Sequence, residues 1–197
     1  MEGVEALRLF LALKGEAGRE EVRGRFPRLV PLLKALGEEV EARGETFRLT
    51  RPLRLSWFAP LLAACYPHLL GPERLLGLER LVEAAFRSAE AGEAPVEGEG
   101  LLRAARLFQE GSLALLREAH REALHRFGEA LGLLEKEGLP FPAAALALLA
   151  RAQEGFRPGG KGRETARKAL ERAQTPFVRE MAERILSPAT PPSPPGP

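Results

Sequence analysis

"LGEEVEARGETFRLTRPLRL", residues 36–55, decides the fold. Apolar residues alternate on both sides of Gly44, with Val40 and Ala42 before it and Phe47 and Leu49 after it. Two short runs of period two around a glycine predict a β-hairpin over 39–50, turning at Arg43–Gly44 or Gly44–Glu45. Upstream the period is helical. Val4, Leu7, Leu9, Phe10, Leu11 and Leu13 give a first helix with a broad apolar face, closed by Gly15 and Gly18. "REEVRGR", about 19–25, reads as a short second helix with Val22 and Phe26 facing inward. "PRLVPLLKALG" is a third, with Pro27 in its first turn and Gly37 at its end. Pro31 removes an amide near its start, a point at which the helix loosens or is re-cut.

From Trp57 onward the pattern is helical throughout. Helices are expected at about 57–68, 72–91, 100–117, 119–137, 141–154, 163–174 and 176–186, with Pro72, Pro142 and Pro176 each at a helix start. "GEAPVEGEG", 92–100, reads as a flexible loop, and "SPATPPSPPGP", 187–197, as a disordered Pro-rich tail. Two stretches are weakly alike. "EALGLLEKEGLPFPAAALALLARA" and "RKALERAQTPFVREMAERIL" each run from an Ala-Leu helix through a Pro-Phe turn into another helix. Their offset of 39 residues (Ala130 to Ala169) is longer than a regular tetratricopeptide unit and close to a helical-hairpin repeat. A generic helical bundle is the plainer reading of the same pattern.

Composition narrows the function classes. The 197 residues contain 24 Arg, five Lys, one Ile, no Asp and no Asn, a skew that points to a GC-rich, thermophilic source. The lone Cys65 forms no internal disulfide, and Glu2, Glu5 and Arg8 around the first apolar turn make no secretion signal, so the cytoplasm is expected. No apolar run approaches membrane-spanning length. The formal charge is only +2, so any nucleic-acid footprint has to be local.

Three helices followed by a hairpin is the chain order of a winged helix-turn-helix, whose third helix enters the major groove and whose hairpin, the wing, touches the adjacent backbone. "RLVPLLKALGEEVEARGETFRLTRPLRLSWFAPLLAA" resembles the end of the winged helix in bacterial transcriptional activators of the antibiotic-regulatory type. In that family the recognition helix runs through a Leu-Gly stop into a hairpin with an aromatic-Arg-Leu signature, here Phe47-Arg48-Leu49, and then into a helical-repeat activator domain. The wing spacing is also similar to that of biotin operon repressors. The resemblance implies a mostly α protein, with a winged helix-turn-helix domain over 1–55 and a tetratricopeptide-like helical domain over 56–186. It implies a regulator that binds double-stranded DNA and uses the helical domain for a protein partner or a homodimer contact.

Charge places the contacts. Cations at helix starts and on a wing suit phosphates. The candidate DNA-binding residues are Arg19, Arg23, Arg25, Arg28 and Lys34, with Arg43 and Arg48 on the wing. A Leu-rich third helix holding Pro31 supports a second reading, an interaction module whose winged helix no longer binds DNA. Enzymatic signals are weak. "GFRPGGKG", 155–162, lacks the hydroxyl residue and the preceding strand of a phosphate loop. His120 and His125 are five apart and do not share a helix face, and Cys65 reads as a structural thiol. No catalytic constellation, metal or cofactor is expected.

Overall fold

The computed structural model describes residues 3–187. Among these the chain is mostly helical with one small antiparallel sheet. The order is α1 (Val4–Lys14), β1 (Glu16–Gly18), α2 (Arg19–Arg25), α3 (Leu29–Leu36), β2 (Val40–Arg43), β3 (Thr46–Leu49), α4 (Leu55–Cys65), α5 (Gly71–Glu90), α6 (Leu101–Leu116), α7 (His120–Lys136), α8 (Ala143–Phe156), α9 (Lys161–Glu171) and α10 (Pro176–Leu186). The expected tail falls almost wholly outside the described residues.

The hairpin is present, and its register is that of the Gly44–Glu45 turn, one of the two alternatives. Val40 opposes Leu49 and Ala42 opposes Phe47, so the four apolar residues share one face. Gly44 and Glu45 form the two-residue turn, with Gly44 at φ 56 and Glu45 outside the positive-φ region, the pattern of a type II′ turn. A third strand, β1, was not expected. It pairs with β3 on the side away from β2, giving the sheet order β1-β3-β2. Phe47 therefore lies between two alanines, Ala17 and Ala42, in the ladder. Ala17 and Phe47 are buried, whereas Ala42, on the edge strand β2, is exposed.

Pro27 is corrected by the structure. It lies in the turn between α2 and α3, and the helix begins at Leu29. Pro31 is then the third helical residue, where a missing N–H removes no intrahelical hydrogen bond. Two apolar clusters organise the chain. The smaller joins Leu7, Phe10 and Leu11 of α1 to Val22, Phe26, Leu29, Leu36 and Phe47, with Phe10 and Phe26 edge to face at 5.6 Å. The larger runs through the later helices, and Leu9, Ala12 and Leu13, also on α1, belong to it. Helix α1 is thus apolar almost all round because it is covered on both sides. Arg80 on α5 closes its end by donating Nε–H to the Leu13 carbonyl at 3.0 Å.

The later helices pack on their sequence neighbours, α6 on α7 and α8 on α9, while α10 packs on both α8 and α9. Small residues set the closest approaches. A Cβ at Gly162 of α9 would lie 2.8 Å from the Ala150 carbonyl oxygen of α8. One at Gly111 of α6 would lie 2.6 Å from the Phe127 ring of α7. Ala130 and Ala169, related by the sequence repeat, are both fully buried. The stretch read as a flexible loop joins α5 to α6 without helix or strand, and its first half is held by Gln109. Gln109 accepts from the Val96 amide at 3.0 Å and donates to the Ala94 carbonyl at 3.0 Å. Glu79 of α5 is buried, and its carboxylate accepts the Ala143 and Ala144 amides. It caps the start of α8 from another helix, where the helix dipole favours a negative charge.

Candidate nucleic-acid interface

Helix α2 follows β1 directly, and its first amide, on Arg19, donates to the Glu45 carbonyl in the hairpin turn at 2.8 Å. That bond fixes the start of α2 against the hairpin turn. The Arg19 guanidinium stacks over the Phe47 ring at 5.4 Å, so this cation covers the core and is not free to reach outward. Arg25 faces the helical region and pairs with Glu73 of α5 at 3.4 Å. Arg48 sits on the outer face of β3, with Glu16 opposite it on one neighbouring strand and Glu41 on the other. It donates to Glu41 at 2.8 Å, and that hydrogen bond is the main reason the Glu41 carboxyl is held below its ordinary pKa. Arg19, Arg25 and Arg48 are thus each engaged with another side chain, Arg25 and Arg48 in partly exposed pairs.

Four expected contacts point outward. Arg23 pairs with Glu20 at 3.5 Å and Arg43 with Glu41 at 3.4 Å, both with most of the cationic side chain exposed. Exposed pairs of this kind are worth roughly 0–1 kcal/mol, so either cation exchanges a carboxylate for a phosphate at little cost. Arg28, immediately before α3, and Lys34, on its second turn, are exposed and make no ion pair with any of the described residues. Carboxylates border this surface as well: Glu20 beside Arg23, Glu41 beside Arg43, and the exposed Glu38 and Glu45 after α3 and in the hairpin turn.

The shape of α3 follows from its apolar spacing. Leu29 and Leu36 are buried and Leu32 and Leu33 half-buried, which turns Val30, Pro31, Lys34 and Ala35 to solvent. Val30 is 66 % exposed, one of three large apolar side chains so exposed among the described residues. Composition gave no sign of this, because Val30 and the buried leucines are indistinguishable until the helix start is known. The Leu29 start places Val30 and Lys34 one turn apart on the outer face, flanked by Pro31 and Ala35.

A second recessed surface lies among the later helices. A groove of about 830 Å³ is floored by Phe86 and Phe177, whose rings are 5.6 Å apart. Arg151 covers the Phe86 ring and Arg87 the Phe177 ring. Residues of α5, α6, α7, α8, α9 and α10 line it, so no local sequence signal could have announced it. Cys65 is buried at the end of α4, and burial raises its thiol pKa. No cluster of His, Cys, Asp or Glu suited to a metal occurs among the described residues. No helix among them is long and apolar enough to cross a membrane. No family model, curated protein or solved structure matches this chain.

Proposed function

We propose that the chain is a DNA-binding transcription regulator, with a winged helix-turn-helix over 1–55 and a tetratricopeptide-like helical region over 56–186 for protein contacts. The chain order helix, strand, helix, helix, hairpin and the sheet order β1-β3-β2 support the winged-helix reading. One observation carries the DNA reading: Arg28 and Lys34, at the start and on the outer face of the third helix, are exposed and unpaired with any of the described residues. Arg23 and Arg43 add two weakly held cations. Phosphate contacts fix such a protein on the duplex, and side chains on the helix then meet base edges. A mobility-shift titration against genomic fragments tests the reading. It expects at least one fragment bound more tightly than the roughly 10⁻⁴–10⁻⁶ M of non-specific association at physiological salt. Uniform weak binding to every fragment would rule it out.

The apolar character of the same face favours a second reading. Val30, Pro31 and Ala35 surround Lys34 and would also suit a protein surface, with α3 covered by a partner or a second subunit. Sedimentation of the purified chain separates the two. A self-associating species lost on Val30→Glu supports the interaction module, and a monomer unchanged by that substitution opposes homodimerisation through α3.

A further inference from the structure

We infer that the outer face of α3 selects thymine through its C5-methyl group, with Val30 and Ala35 as the contacting side chains. This rests on the DNA-binding reading and adds what the helix would discriminate. Four side chains form the face: Val30, Pro31, Lys34 and Ala35, all exposed. None is an amide, the group that pairs bidentately with adenine. The chain has no Asn, and its three Gln, at 109, 153 and 174, are far along the helical region. Adenine is therefore not read directly by this helix.

What the face offers is apolar surface beside a cation. In the major groove thymine presents a methyl group, and guanine presents two acceptors, N7 and O6. Lys34 lies one turn from Val30, so an ammonium set against guanine brings the Val30 methyls toward a neighbouring base edge. Pro31 and Ala35 are short, which lets the helix backbone approach the base edges closely. Charge complementarity fixes the occupant: a cation sits at the centre of the face, and Arg28, which like it has no ion-pair partner among the described residues, precedes it. A polyanion with methyl groups in its groove matches that pairing of charge and apolar surface.

The test uses the full chain and synthetic duplexes. A random duplex pool is enriched on the protein, and the winning sequence is resynthesised with deoxyuridine at each thymidine in turn. Uracil keeps every hydrogen-bonding group of thymine and lacks only the methyl. Substitution at one or two positions is expected to weaken binding about fourfold each, the worth of one buried methyl-sized group. Val30→Ala, a change at an exposed position, is expected to reduce that thymine-over-uracil ratio toward one at the position it contacts. Enrichment and tight binding with no uracil effect anywhere would overturn the thymine inference and leave DNA binding intact. No enrichment and no tight binding would overturn the DNA-binding reading and this inference with it. A Val30→Ala effect on sedimentation in the absence of DNA, with no effect on the ratio, would assign the face to a protein partner.

Discussion

Glu79 is the residue in which burial and charge most directly oppose each other. Its carboxyl lies in the core, and burial raises its pKa, while the amides of Ala144 and Ala143 pull in the other direction. Replacing it by Gln swaps one acceptor oxygen for a donor that faces an N–H group. Glu79→Gln should therefore destabilise the fold by about 1–3 kcal/mol, measured by denaturant unfolding at neutral pH. The pH dependence has a definite sign. A folded-state pKa above the unfolded one means that the folded chain takes up this proton first as pH falls. The stability of the parent relative to Glu79→Gln should rise on acidification from above the folded pKa down to the ordinary carboxylate range, then level. A difference that is flat or that shrinks would contradict the buried carboxylate. Glu39 behaves oppositely. The hydrogen bond from Arg8 outweighs burial and lowers its pKa, so its contribution is present above the ordinary range and lost as pH falls through the lowered value. Close packing gives a further expectation at this scale. Ala130 is fully buried in α7, and Ala130→Leu should overpack and cost about 1–3 kcal/mol in a thermal or denaturant melt. A variant that melts like its parent would mean the space around Ala130 is not closed.

At the scale of elements, the hairpin was the most legible part of the sequence. Alternation and Gly44 located its strands and their inward face, because a one-residue slip would expose Phe47 and Leu49. Both turns that Gly44 allows keep that face, and only the structure selects Gly44–Glu45. Strand β1 was not legible. Glu16-Ala17-Gly18 has no strand propensity of its own, and its pairing comes from β3, nearly thirty positions downstream. The start of α3 was misplaced because Pro27 and Pro31 each suit a first turn, and only packing of Leu29 and Leu36 decides between them. That assignment has a consequence. With Pro31 third in the helix and exposed, Pro31→Ala should change stability by no more than about 0.5 kcal/mol, measured by chemical denaturation. A gain near the roughly 3 kcal/mol expected for a proline in a helix interior would place the helix start earlier in the chain. The later helices were found to within a few residues from their periodicity. The loop at 92–100 was legible as a loop, but its tether, Gln109, is a tertiary contact invisible to composition. For the candidate interface, sequence located the cations and could not say which were engaged. Glu73, which holds Arg25, lies 48 positions away, and the stacking of Arg19 on Phe47 depends on the sheet.

For the whole molecule the governing feature is α1, which belongs to both apolar clusters at once. The hairpin-bearing part and the later helices share that helix, the Arg80–Leu13 hydrogen bond and the Arg25–Glu73 pair. They should unfold together, with Trp57 fluorescence and far-ultraviolet circular dichroism giving coincident denaturant transitions. The most direct measurement is the salt dependence of duplex binding by the parent and by the Arg28→Ala/Lys34→Ala variant, both at exposed positions. Each phosphate neutralised contributes a slope of about −0.9 in log affinity against log salt. If both cations contact phosphates, the variant should bind more weakly and its slope should be shallower by about 1.8, while Arg25→Ala, whose cation is held by Glu73, should leave the slope unchanged. A variant with the parent's affinity and slope would contradict DNA binding through α3.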